Sequence, residues 1–362
     1  MQNIKCDTQA LRILTLALVL FLGCFKAQAS YLVLEQTAND ETQRQGVASA
    51  EPELALPDPL AGFDETSAYA WMLRLAKAVN EQSYEISYVV SEDSRETLPY
   101  LWRHAILENG DEAEQLSLLN GPGFERIRVN TKLSMFEPGY TPYSVRSAHI
   151  DGPIPLAFLN SPNILLDSYE TLLMGRDRVS GRMAQQIRVV SKDKTRYGYY
   201  LWLDEQTGLL LKLNMYSTEN RLLKQIQVTE LNVNDDVKLY FSNLQKDQLP
   251  PISVPNAETQ TDFSWTVSYL PEGMVPVKTK LHRLATTGEP AEYMMLSDGL
   301  IDVSVYVMND NNVIQDDLSI SSNATSFVSI SNGQVQVTVV GDIPVSTANK
   351  IADSIVLIGN PK

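Results

Sequence analysis

The chain has 362 residues, 29 of them basic and 44 acidic, for a net charge of −15. A surface this acidic argues against nucleic acid and against general adhesion to anionic membrane, both of which draw on basic patches. Two cysteines and three histidines leave little material for thiol chemistry or a histidine metal site.

The first segment reads as an address. An apolar run from Leu11 to Phe25 follows the basic residues Lys5 and Arg12, and Ala27-Gln28-Ala29 supplies a small-x-small cleavage step. The run is too short to anchor a helix across a bilayer, so residues 1–29 are predicted to be a signal peptide and the rest to work outside the cytoplasm. Cleavage after Ala29 leaves 26 basic and 43 acidic residues, a net charge of −17, and removes both cysteines, Cys6 and Cys24. An alternative reading makes Cys24 the acylated start of a lipoprotein, although Phe21 fits the first position of that box poorly.

Residues 30–63 are acidic, punctuated by Gly46, Pro52, Pro57 and Pro59, and read as a flexible lead. From Glu65 to Gln82, Ala68, Trp71, Met72, Leu75, Ala76 and Val79 recur at helical spacing, with Asp64 or Thr66 as the expected cap. The period then changes to two: Tyr84, Ile86, Tyr88 and Val90 alternate, as do Trp102, His104 and Ile106. Further strands are predicted over 125–129, 187–190, 196–203, 209–215 and 224–231. Gly121-Pro122-Gly123, Glu137-Pro138-Gly139 and Thr207-Gly208 mark turns.

One helix followed by many antiparallel strands predicts an α+β unit over 64–231, a strongly curved sheet with the helix on its concave side. The space that one helix leaves unfilled suits acyl chains. The groove candidates are Trp71, Leu75 and Val79 on the helix and Tyr84, Tyr88 and Trp102 on the strands, each of which taken singly reads more readily as plain core. Between Glu170 and Arg196 lie seven basic residues against three acidic ones, the one basic island in the chain. Within it Arg176, Arg178 and Arg182 are candidates for an anionic partner or a phosphorylated head group, against a reading as solvated surface.

Residues 232–262 are polar and hold Leu249-Pro250-Pro251 and Val254-Pro255, which reads as a linker. A smaller α+β domain is predicted over 263–362, with strands at 292–296, 300–308, 325–330 and 335–340. A last helix over 346–355 is capped by Ser346 or Thr347.

Motifs of catalysis are missing. His104, His149 and His282 are scattered, no G-x-S-x-G elbow occurs, and Gly121-Pro122-Gly123 lacks the third glycine of a nucleotide fingerprint. The loop Asn309–Asp317 lacks the central glycine of a calcium loop, and Asn323-Ala324-Thr325 matches a glycosylation sequon. No catalytic residue, cofactor or metal is predicted, and the weight falls on a binding protein rather than an enzyme.

Motifs in a fixed order over both domains carry a resemblance. They are Ser83-Tyr84, Arg103-His104-Ala105, Gly121-Pro122, Phe136-Glu137-Pro138-Gly139, Ile187-Arg188-Val189-Val190, Thr195-Arg196-Tyr197 and Leu201-Trp202-Leu203-Asp204. The second domain adds Phe263-Ser264-Trp265, Leu270-Pro271-Glu272-Gly273, Ser297-Asp298-Gly299-Leu300, Val340-Gly341-Asp342-Ile343-Pro344 and Ile351-Ala352-Asp353-Ser354-Ile355. From about Ala68 to Ile355 the chain resembles the RseB/MucB family, periplasmic regulators of the envelope-stress sigma-E pathway.

The resemblance implies a large domain similar to the lipoprotein carriers LolA and LolB, a half-open barrel with helices over its mouth. It implies a periplasmic negative regulator that binds the periplasmic part of a membrane anti-sigma factor of the RseA/MucA type. Such a regulator shields that factor from regulated proteolysis and loosens its grip on meeting lipid or lipopolysaccharide. A lipid or lipoprotein carrier without a signalling role is the alternative, and the oligomeric state stays open between monomer and homo-oligomer. Two departures stand out: the acidic lead exceeds the family's usual start, and an expected Asp-Gly turn reads Asp193-Lys194.

Overall fold

The computed structural model describes residues 66–244, 249–253, 263–283, 290–309, 317–331 and 334–358. The signal segment, the acidic lead, most of the Asn309–Asp317 loop and the second half of the linker lie outside the described residues.

Helix α1 (Ala68–Glu81) is capped by Ser67 rather than by Thr66, because Ser67 holds the extended backbone directly ahead of the first turn; its Oγ accepts from the Ala70 amide at 3.1 Å. Met72, Leu75, Ala76 and Val79 form its buried stripe. Burying Met72 and Leu75 completely is worth about 2–3 kcal/mol each.

An antiparallel sheet of eleven strands follows: β1 (Tyr84–Glu92), β2 (Leu98–Ile106), β3 (Glu112–Leu118), β4 (Glu125–Val129), β5 (Lys132–Phe136), β6 (Tyr143–Arg146), β7 (Tyr169–Val179), β8 (Arg182–Ser191), β9 (Gly198–Asp204), β10 (Leu210–Tyr216) and β11 (Leu222–Val233). Their order is β6-β5-β4-β3-β2-β1-β11-β10-β9-β8-β7, so β1 pairs with the last strand and β6 and β7 stand at the two ends. The sheet stays open, as the half-open barrel requires, with α1 packed across from β2 to β7. Between β6 and β7 lie the single-turn helix α2 (Leu156–Leu159) and a 3-10 turn at Pro162–Leu165, which fill the mouth with Phe158 and Leu165.

The stretch read as linker is partly built structure. Helix α3 (Asp236–Ser242) packs Val237 and Phe241 against Ala105, Leu107 and Ala113; its polar composition hid it because only two of its positions face inward. Residues 250–253 run beside the outer edge of β6. The Ser253 amide donates to the Ser144 carbonyl at 2.7 Å, and Ser144 Oγ donates to the Pro250 carbonyl at 2.7 Å.

The second domain holds β12 (Trp265–Val267), β13 (Val275–Arg283), β14 (Pro290–Ser297), β15 (Asp302–Asn309), β16 (Leu318–Ser322), β17 (Thr325–Ser331), β18 (Val335–Gly341), helix α4 (Val345–Asp353) and β19 (Ile355–Leu357). Six strands form one sheet in the order β13-β14-β15-β18-β17-β16, with α4 laid on β17 and β18, while β12 pairs with β19. Neither Ser346 nor Thr347 caps α4. Pro344 stands at the cap position, and Thr347 Oγ1 donates instead to the Thr195 carbonyl of the first domain at 2.7 Å.

One apolar core runs through both domains, from Met72 and Leu75 through Tyr169 and Tyr199 to Val303, Val339 and Ile351. Free relative motion, the default for two domains on a linker, is replaced by a joined interior.

Candidate functional site

Two places concentrate polar chemistry: the concave interior under α1, and the seam where the domains meet. In the interior, β2 and β3 face each other so that Trp102, His104, Glu112 and Glu114 converge with Arg128 of β4. Trp102 Nε1 donates to Glu114 at 2.8 Å. The Arg128 guanidinium, 4% exposed, donates to Glu112 at 2.6 Å and to Glu114 at 3.0 Å. His104, 1% exposed, faces an acceptor from each ring nitrogen, the Gln82 carbonyl at 2.8 Å and Glu112 at 3.1 Å.

Burial alone would raise the Glu112 carboxyl, but hydrogen bonds from His104 and Arg128 overcome it and hold the group at about 2. Burial lowers His149 with help from Arg128, and burial raises the Tyr84 phenol. Tyr84 is wholly enclosed, its hydroxyl has no hydrogen-bond partner among the described residues, and its ring packs edge-on against Trp102 at 5.0 Å.

These groups leave a cavity of about 30 Å³, bounded by Val79, Tyr88, Trp102, His104, Arg128 and His149. That is room for one or two waters, not for an acyl chain. Of the six groove candidates, Leu75, Val79, Tyr84, Tyr88 and Trp102 are buried and Trp71 is half-buried under Arg74, whose guanidinium lies 4.8 Å from its ring centroid. The structure places all six in or against the packed core. The residues that sequence reasoning passed over are Glu112, Glu114 and Arg128; the available signal was the pair of carboxylates two apart on one strand, which puts both on one face.

The seam is tighter. Arg196, just before β9, donates to Asp298 of the β14–β15 turn at 2.5 Å, with both side chains 0% exposed. Tyr169 donates its hydroxyl to the same Asp298 oxygen at 2.7 Å, and the guanidinium lies 4.9 Å from the Tyr169 ring centroid. The other Asp298 oxygen accepts from the amides of Leu300 and Ile301 at 2.9 and 3.0 Å. Asp193 accepts from Arg196 at 3.2 Å and from the Glu272 amide at 2.8 Å; burial alone would raise it, but the bonds from Glu272 and from the amide and hydroxyl of Thr195, with the Arg196 charge, hold it at about 2. Lys194 takes φ +57°, the conformation a glycine would supply at this turn. Tyr197 donates to the Ile343 carbonyl at 3.0 Å.

Two glycines let the surfaces close. A Cβ on Gly273 (φ +76°) would sit 1.7 Å from Ser168 Oγ, and one on Gly299 (φ +84°) 2.4 Å from Ile164 Cδ1. Beside the seam a cleft of about 310 Å³ opens between Asp151, Ile154 and Leu156 of the first domain and Val277, Met295 and Leu300 of the second. Burial pushes Asp151 there up to about 6.

The basic island divides. Arg182 is committed to Asp204 through two bonds at 2.9 and 2.8 Å and holds the β9–β10 turn. Arg176 is 65% exposed and pairs with Glu205 at 2.9 Å, and Arg178 is exposed. No helix among the described residues is long and apolar enough to cross a membrane.

The fold and its locked seam define a two-domain α+β protein built on an open eleven-stranded sheet. The MucB/RseB N-terminal domain model matches residues 67–253 and the MucB/RseB C-terminal domain model residues 259–356. The chain belongs to the MucB/RseB family. It is 32% identical over 304 residues to the sigma-E factor regulatory protein RseB of Salmonella typhimurium, covering 83% of this chain and 92% of the relative. It is 27% identical over 295 residues to the sigma factor AlgU regulatory protein MucB of Pseudomonas aeruginosa, covering 79% and 89%. Among solved structures, the Pseudomonas aeruginosa MucA/MucB complex superposes with a TM-score of 0.63 at 26% identity, over 81% of this chain and 99% of that one. MucB in complex with MucA(peri) gives 0.62 at 27% identity, over 81% and 100%. Three of the motifs that carried the resemblance contribute seam residues: Thr195-Arg196-Tyr197, Glu272-Gly273 and Asp298-Gly299.

Proposed function

We propose that this chain is a negative regulator of sigma-E signalling that binds the periplasmic part of a MucA-like anti-sigma factor and shields it from regulated proteolysis. The single observation that carries this is family membership across both domains, joined to solved relatives in which MucB holds MucA. The seam gives it a physical basis: a protease needs an extended, exposed segment, and a rigid two-domain surface covers more of one than either domain alone.

The export signal supports a periplasmic site of action. Lipid or lipopolysaccharide is the proposed release signal. The interior under α1 is filled by packed apolar side chains and the Arg128–Glu112–Glu114 cluster, so an acyl chain enters only by displacing α1 or the α2 turn, and it shifts the population by its differential affinity for the opened state. Arg176 and Arg178 are the proposed contacts for an anionic partner or head group.

Mixing the purified mature chain with its anti-sigma factor's periplasmic part and the initiating protease tests this. Complex formation with slowed cleavage is expected. Recovery of bound lipoprotein, with no affinity for the anti-sigma factor, would make it a carrier instead.

A further inference from the structure

The two ends of the eleven-stranded sheet are treated differently. The β6 end is covered by residues 250–253, while no described strand pairs with β7 beyond β8. The outer edge of β7 is defined by its hairpin. Val179 and Arg182 flank the two-residue turn Ser180-Gly181, whose φ values of +51° and +80° are those of a type I′ turn. Val179 and Arg182 are therefore a hydrogen-bonded pair. Arg178 opposite Met183, and Arg176 opposite Gln185, are the pairs whose peptide groups point away from β8. The Arg178 amide bears this out: it donates to Asp177 Oδ1 at 2.7 Å, a carboxylate standing where an incoming acceptor would sit.

We propose that the Arg176–Val179 edge of β7 is the docking edge for an extended acidic segment of the anti-sigma factor, added as a further strand. This rests on the regulatory reading above and names the surface that does the covering. Three observations converge on that occupant. The two residues whose backbone groups point away from β8 are also exposed arginines, the Arg178 amide being held meanwhile by its neighbour Asp177. Arg176 is held only by an ion pair at 65% exposure, which exchanges readily, and Arg178 makes no ion pair among the described residues. In a chain of net charge −15 they favour a carboxylate-rich partner. Leu173, Met174 and Met183 are 44%, 39% and 49% exposed beside them, an apolar rim for alternate side chains of the added strand. The register shift between Leu173 and Arg176 breaks the ladder with β8, so the hairpin end forms its own regular stretch from Arg176 to Val179. A segment paired this way has its scissile peptides bonded to β7 and withheld from a protease.

The experiment uses the full mature chain and the anti-sigma factor's periplasmic part, with affinity measured at low and high salt and amide exchange followed with and without partner. Arg176→Glu/Arg178→Glu should lose at least about tenfold in affinity at low salt, and less at high salt. Arg178→Pro, which removes the outward donor but no bond to β8, should lose affinity at both. In the wild-type complex the amides of Arg176 and Arg178 should slow their exchange, a readout that needs no variant to fold. Wild-type affinity in both variants, or unchanged exchange along β7, would overturn the proposal. So would a charge reversal that weakens only binding to anionic-phospholipid vesicles. Failure of the wild-type chain to bind the anti-sigma factor at all would sink the regulatory reading itself.

Discussion

Arg196 and Asp298 meet at 2.5 Å across the two domains, wholly withdrawn from solvent. A buried charge pair is not in itself a large source of stability, because each ion gives up its hydration, but the loss of one member leaves the other stranded. The consequence is geometric. With Tyr169 and the turn amides filling the remaining bonds of Asp298, the domains have one satisfied orientation.

Replacing Asp298 by Ala should therefore destabilise the whole protein by about 2–4 kcal/mol, because the buried Arg196 keeps only the longer contact to Asp193 and Tyr169 loses its acceptor. The double variant Arg196→Met/Asp298→Leu should recover most of that. Urea unfolding of the three proteins measures it; equal stability in Asp298→Ala and wild type would show that the pair is dispensable.

The seam glycines give a second test. Gly273→Ala should cost more than about 2 kcal/mol, combining a positive φ with a Cβ placed 1.7 Å from Ser168 Oγ. Adding Ser168→Ala should return the steric part only, leaving about 1 kcal/mol of backbone strain. Thermal unfolding of the single and double variants separates the two contributions.

Acid has opposite effects at two carboxyls. Glu112, held at about 2, contributes stability that is present above its ordinary range and lost as pH falls from about 4.5 toward 2. Asp151, pushed up to about 6, disfavours the folded state once ionised, so its contribution weakens as pH rises from about 4 through 6. Asp151→Asn should raise stability at pH 7 by about 1 kcal/mol, a value discounted for its contact with the solvent-filled cleft. The variant should also flatten the slope between pH 4 and 6. Denaturation midpoints across pH 2–8 check both signs.

Leu75→Ala tests the filled interior. The side chain is 0% exposed within the core under α1, so truncation should cost about 2–5 kcal/mol and leave a cavity. If acyl chains enter here, the same variant should bind a fluorescent fatty-acid probe more tightly than wild type. Lost stability with no gain in probe binding would place any lipid site elsewhere, with the cleft beside Asp151 next to be examined.

Periodicity made much of the architecture legible. The 3.6-residue stripe of α1 and the two-residue alternation from Tyr84 onward depend only on which face of each element is buried, and every alternating strand named from the sequence is present. What periodicity cannot supply is the partner of a face. The helix α3 went unread because its polar positions outnumber Val237 and Phe241, and β7 went unread because an edge strand with an exposed outer side has no alternation to show. Thr347 looked like a cap by local spacing, yet the nearest acceptor belongs to the other domain.

The sequence by itself determined the acidic balance, much of the element order and, through motifs dispersed over both domains, the family. Tertiary structure alone decided that the groove candidates fill their own space and that one apolar core joins the two domains. It alone also showed that Arg182 serves a turn while Arg176 and Arg178 stand on an open edge. Each of these depends on contacts between residues far apart in the chain, and such contacts are settled by closure of the fold rather than by local pattern.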